Sequence, residues 1–198
     1  AYWKAKNGDY AGALAVAATA ENANDPRILR VTGYATRKLG DVDGGMKYYR
    51  RALAINPADT RTRQYMGEAF LTKGDMQGAV EQLGEWLDDT RLSLAAVHAP
   101  TAEAFDGRWR GSLSLAATGT AARLAAVDHT WAAIDIAKTL RYDTLVVHLG
   151  LPEHAAAPGD NDAVAARASL DVLMPYAGEC GVQIALEVQT NRLSTPDA

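Results

Sequence analysis

An internal repeat restricts this chain more than any other feature. Gly33-Tyr34-Ala35 returns as Gly67-Glu68-Ala69, and Gly40-Asp41 returns as Gly74-Asp75, both at an offset of 34 residues. An earlier, partial copy sets Gly8-Asp9-Tyr10 against Gly40-Asp41-Val42 at an offset of 32. A period of this length marks stacked supersecondary units, each burying its apolar face against its neighbour. Two full units and part of a third are expected.

Each unit reads as two amphipathic helices joined by a Gly-Asp turn. Glycine tolerates the positive φ at which a helix stops, and the turn opens the following helix. In the middle unit the spacing predicts a first helix from about Pro26 to Leu39 and a second from about Val42 to Ile55. Asn56-Pro57 closes the second, because proline cannot continue the hydrogen-bond ladder. Gly33, Ala35, Gly45 and Ala52 are small enough to let the paired helices approach, while Leu29, Tyr49 and Leu53 fill the space between them.

The string Gly-Tyr-Ala…Lys-Leu-Gly-Asp…Tyr-Tyr-Arg-Arg-Ala-Leu-Ala-Ile-Asn-Pro resembles the tetratricopeptide repeat, with departures at Leu29, Gly45 and Trp86. The resemblance implies that the first helices line a concave groove for a protein or peptide partner. Position by position, that groove comprises Arg27, Arg30, Tyr34, Arg37 and Lys38, then Arg61, Gln64, Glu68 and Leu71. Guanidinium groups pair well with carboxylates, so a basic groove suits an acidic peptide or a C-terminal carboxylate. The alternative is a set of solvated charges on an exposed helix face.

From Leu92 the hydrophobic period changes. Leu92–His98, Thr144–Gly150 and Val182–Val188 are short apolar runs that read as buried strands, the last two separated from what precedes them by helical spacing over 121–140 and 161–179. Strand, helix, strand, helix, strand predicts a parallel α/β layer. Each run carries a metal-capable side chain near its C-terminal end: His98, His148 and Glu187. Parallel strands put those ends on one rim, with Ala96, Val146 and Ala185 facing the same way two residues back.

The segments Ala-Val-His-Ala-Pro, Leu-Val-Val-His-Leu-Gly and Ala-Leu-Glu-Val resemble the second, third and fourth strands of the xylose-isomerase-like barrel family, which contains sugar-phosphate isomerases/epimerases and apurinic-site endonuclease relatives. The resemblance implies that His98, His148 and Glu187 ligate a divalent metal, Zn²⁺ or Mn²⁺, able to polarise a carbonyl or hydroxyl during proton transfer. The alternative makes the histidines hydrogen-bonded strand-end residues and pairs Glu187 with Arg192. Gly150 would leave space beside His148. Asn191, His154 and Arg108 are candidate substrate contacts, and Arg123 could receive an anion near its helix start. His129, inside a helix, reads as packed or solvated.

The expected fold is therefore α followed by α/β: tetratricopeptide-type helical hairpins over 1–87, then an incomplete TIM-barrel-like parallel sheet of about three strands over 88–198. Gln82–Thr90 can serve both as the end of the last repeat and as the helix preceding the first strand. With no strand before Leu92 and none after the third run, the open sheet edges invite self-association. Metal affinity is expected to be weak, turnover slight from this chain alone, and the general base unassigned. The alternative is an active metal-dependent isomerase/epimerase once another chain or further sequence completes the barrel.

Charge excludes further classes. The net formal charge is −4, with 12 basic and 12 acidic residues up to Thr90 and 8 against 12 beyond it. Neither part is basic enough for bulk attraction to nucleic acid. No apolar stretch approaches a membrane span. One cysteine, Cys180, cannot form an internal disulfide, which makes a cytoplasmic setting the default.

Overall fold

The computed structural model describes residues 1–105 and 109–194. The chain divides into two compact units, Ala1–Leu92 and Ser93–Ala198. No described helix is long and apolar enough to cross a membrane.

The first unit is helical: α1 (Tyr2–Lys6), α2 (Tyr10–Ala18), α3 (Pro26–Lys38), α4 (Val42–Ile55), α5 (Thr60–Thr72) and α6 (Met76–Thr90). Sequential helices pack as hairpins, α1 with α2, α3 with α4 and α5 with α6. The repeated Gly-Asp pair explains the joints. Gly8, Gly40 and Gly74 take φ of +82°, +103° and +72°, the left-handed region that glycine enters without a Cβ penalty. Asp9, Asp41 and Asp75 then cap the next helix, accepting the backbone N–H of Gly12, Gly44 and Gly78 at 2.8 Å each. Such a cap contributes about 1 kcal/mol.

Inside the middle hairpin the backbones nearly touch. A Cβ on Gly33 would fall 2.6 Å from the Tyr49 ring, and one on Gly45 would fall 2.8 Å from the Gly33 carbonyl oxygen. Tyr49, Leu29, Ala35 and Ala52 are buried there, and Leu53 is half-buried. Burial pushes the Tyr49 hydroxyl pKa well above its ordinary value. Trp86 does not interrupt α6, which continues to Thr90 and stops at Arg91 with φ +55°.

The second unit contains β1 (Ala96–His98), β2 (Ala104–Phe105), β3 (Trp109–Arg110), α7 (Thr120–Leu140), β4 (Thr144–Val147), α8 (Ala163–Glu179), β5 (Gln183–Leu186) and a single 3₁₀ turn, Arg192–Ser194. β2 and β3 pair antiparallel as a small hairpin. The parallel sheet has the order β1-β4-β5, with Ala96 opposite Thr144 and Thr144 opposite Gln183. β4 is the central strand, and its Leu145 and Val147 are fully buried on the face where α7 contributes Ala126 and Thr130. α8 packs against α7 and β5.

The expected buried strand from Leu92 is corrected: only Ala96–His98 pairs, and Leu92 is 60% exposed. The cause is its position. β1 is an edge strand of the described sheet, so apolarity there does not translate into two covered faces.

Candidate metal centre

Register decides where the three chemistry-bearing side chains point. His98 stands opposite Val146, and Val146 opposite Ala185. His148 and Glu187 each lie two residues further along, so by the period-two alternation of strands all three project from one face. The ladder extends one residue beyond β5, because the Glu187 N–H donates to the Val147 carbonyl at 2.9 Å. That bond holds His148 and Glu187 at the same level of the rim. Leu145 and Val147, one residue out of phase, anchor β4 from the opposite face.

The side chains converge. His98 Nε2 lies 3.1 Å from His148 Nε2 and 3.3 Å from Glu187 Oε2, and His148 Nε2 lies 3.4 Å from the same Oε2. The imidazole rings meet edge to face with centroids 4.7 Å apart. A tetrahedral Zn²⁺ with donors at about 2.0–2.1 Å has its donor atoms about 3.3–3.4 Å from one another. The observed triangle therefore has the dimensions of one face of such a site.

Proton bookkeeping points the same way. His98 Nδ1 sits 2.7 Å from the Ala99 carbonyl oxygen, which only accepts, so Nδ1 carries the hydrogen. In the neutral ring, Nε2 is then a bare lone pair aimed at another imidazole nitrogen and a carboxylate oxygen. Three electron-pair donors facing one point need a shared proton or a cation between them. The side chains of His98 and Glu187 are 42% and 49% exposed and that of His148 only 20%, so the mouth is open to solvent while its deepest donor is held. The three residues could hold a metal ion.

Other candidate positions fall elsewhere. The Asn191 amide braces loops, donating to the Leu151 carbonyl at 3.1 Å and accepting from the Leu193 N–H at 2.9 Å. Gly150 does not leave free space: a Cβ there would lie 2.1 Å from Asn161 Oδ1, whose amide bonds the backbone of Leu151. His154 is exposed in the turn after β4, without a hydrogen bond to the triad. Arg108 lies outside the described residues. Arg192 donates to the Asn161 carbonyl and approaches Asp162 at 4.0 Å. Arg123 donates to the Ala117 carbonyl at 3.1 Å, and His129 bonds the Ala125 carbonyl of its own helix at 2.8 Å.

Sequence reasoning missed Gln189. Its Nε2 lies 2.9 Å from His148 Nε2 and 3.4 Å from Glu187 Oε1. The available signal was its spacing of two from Glu187 on an extended segment.

In the helical unit, the residues expected along the first-helix groove separate into two groups. Arg30 pairs with Asp59 at 2.5 Å, Arg37 with Glu68 at 2.5 Å, and Arg27 with the cap residue Asp25 at 2.6 Å. The Arg30 and Arg37 pairs join successive helical hairpins, whereas Arg27 pairs within its own helix start and its side chain is 80% exposed. Tyr34, Lys38, Arg61 and Gln64, joined by Tyr2, Lys6, Tyr65 and Glu68, line a concave cavity of about 270 Å³. Leu71 is 51% exposed.

Residues 60–196 match the xylose isomerase-like TIM barrel family, a span that starts with α5 and runs through the described β/α unit. No curated protein and no solved structure matches the chain. The matched span covers well over half of the sequence, and within it the strands present two imidazoles and a carboxylate at one rim; the chain belongs to the xylose isomerase-like TIM barrel family.

Proposed function

We propose that the β/α unit binds one divalent cation, zinc or manganese, through His98, His148 and Glu187, and that this site serves chemistry of the sugar isomerase/epimerase type. The carrying observation is the 3.1–3.4 Å triangle of donor atoms. When bound, such an ion polarises a carbonyl or hydroxyl oxygen of a substrate. The chain's own residues prepare that position: the Ala99 carbonyl fixes the His98 tautomer, and the β4–β5 ladder keeps His148 beside Glu187. His154 and Asn191 lie in the loops that follow β4 and β5 and are candidates for contact with a polyol.

Among the described residues, the triad's side chains bond one another, the Ala99 carbonyl and Gln189. Among the described residues, no further acid and no amine hydrogen-bonds to them as a general base would. We therefore propose slight turnover from these residues alone, and higher turnover where another chain or further sequence supplies the base. Isothermal titration with Zn²⁺ and Mn²⁺ tests the ion site: one equivalent binds to the wild type, and Glu187→Gln weakens binding by about 100-fold or more, beyond the 10–100-fold typical of outer-shell losses. Equal affinity in both proteins would rule the site out. Deuterium uptake from solvent into an aldose or ketose, followed by NMR, tests the reaction class.

A second reading is favoured by the concave cavity of the helical unit. Tyr2, Tyr34 and Tyr65 provide aromatic walls, and Lys6, Lys38 and Arg61 provide cations at its margin, which suits an acidic peptide ending in a carboxylate. We propose that this tetratricopeptide-type groove is a protein-interaction surface. Lys38→Glu/Arg61→Glu should abolish binding of a fluorescent acidic peptide, and retention of binding would contradict the assignment.

A further inference from the structure

We infer that Gln189 supplies the fourth donor of the metal centre, through its side-chain oxygen. This inference rests on the ion-binding proposal above. The amide terminus of Gln189 sits 2.9 Å from His148 Nε2, one of the three donors, and 3.4 Å from Glu187 Oε1, the second oxygen of the carboxylate whose Oε2 faces the histidines. The amide thus borders two of the three residues that face one another at the rim.

The amide has two faces. With no cation present, its NH₂ donates to a lone pair on His148 and to Glu187. The nitrogen and oxygen of a glutamine are nearly isosteric, so a half-turn about the last torsion puts Oε1 where Nε2 stands. A cation at the centre favours that turn, because it repels the amide hydrogens and attracts the oxygen. Gln189 thus stabilises the same arrangement in both states, by donating in one and ligating in the other.

The backbone beneath it is held in place. The Gln189 carbonyl accepts from the Asn191 N–H at 2.8 Å and from the Ser194 hydroxyl, while the next carbonyl, on Thr190, accepts from the Glu153 N–H at 3.0 Å. A side chain launched from a fixed loop loses less entropy on ligation, which is the general requirement for a preorganised donor. With Gln189 the chain would offer a bound ion four side-chain donors, of which the neutral amide would be the one held least tightly.

Cobalt(II) titration, followed by calorimetry and by visible absorption, separates this role from others, using the wild type, Gln189→Ala, Gln189→Leu and Gln189→Glu. Gln189→Ala and Gln189→Leu are expected to weaken Co²⁺ binding about 10- to 100-fold and to change the d–d spectrum as solvent takes the fourth position; azide then binds more tightly to the Gln189→Ala protein. Gln189→Glu keeps an oxygen donor but loses the NH₂, and is expected to bind at least as tightly as the wild type. Should Gln189→Glu weaken binding as much as Gln189→Ala, the residue would be a hydrogen-bond donor that orients His148, and the inference would fail. Wild-type affinity and spectrum in all three variants would also overturn it. Absence of Co²⁺ binding to the wild type would instead remove the ion-binding proposal itself.

Discussion

The helical unit and the β/α unit are built by opposite strategies. In the first, the helix joints and the hairpin packing are decided locally: Gly-Asp stops one helix and caps the next, and Gly33 and Gly45 admit Tyr49 within a single hairpin. In the second, His98 and His148 are 50 residues apart, and His98 and Glu187 are 89 apart, yet the His98 Nε2 atom lies within 3.3 Å of both His148 Nε2 and Glu187 Oε2. Local code gives a scaffold that tolerates being repeated. Long-range register gives a site whose geometry depends on every strand being in phase.

That contrast can be broken by core substitutions, which have the largest expected effects. Tyr49→Ala should destabilise the helical unit by about 3–5 kcal/mol in urea unfolding followed by circular dichroism, with Zn²⁺ affinity of the β/α unit unchanged. Leu145→Ala, on the covered face of β4, should cost about 2–5 kcal/mol and also weaken Zn²⁺ binding, because the strand that loses its anchor carries His148. If both variants left ion affinity intact, the dependence of the site on strand packing would be wrong.

Smaller effects sharpen the comparison within the helical unit. Asp41→Ala removes the cap of α4 and should lower stability by about 1 kcal/mol, a loss confined to one repeat joint. Acid titration probes Asp59, the cap of α5. Burial raises its pKa, but the Thr62 hydroxyl and N–H and the Arg30 guanidinium outweigh burial and hold it below the ordinary carboxylate value. A depressed folded pKa means that its contribution is complete above about pH 4 and is lost as pH falls through the folded value. Arg30→Met should flatten that acid limb of the stability curve; an unchanged limb would show that Thr62 alone carries the shift.

Much of this was legible in the residues, for physical reasons that differ by region. The helix limits around Pro26 and Val42 follow from caps and turns that lie within a few positions of each other, so α3 departs by one residue and α4 by none. The face shared by His98, His148 and Glu187 follows from the period of a strand. Strand length did not follow, because the run from Leu92 lies on a sheet edge, and edge position is set by residues far away in sequence. The ion pairs of the groove arginines were out of reach for a similar reason. Arg30 and Arg37 find Asp59 and Glu68 in the next helical pair, partners that a single-helix view cannot supply. For Gln189 the sequence offered only its spacing of two from Glu187; its contact with His148 depends on the fold of the segment that follows β5.

The most direct test is X-ray absorption at the zinc edge on protein loaded with one equivalent of Zn²⁺. Two imidazoles, visible through their outer-shell scattering, and oxygen donors completing a four-coordinate shell at about 2.0–2.1 Å are the predicted result. A zinc environment with no imidazole scattering, or with only one ring, would contradict the convergence of His98, His148 and Glu187 on a single ion.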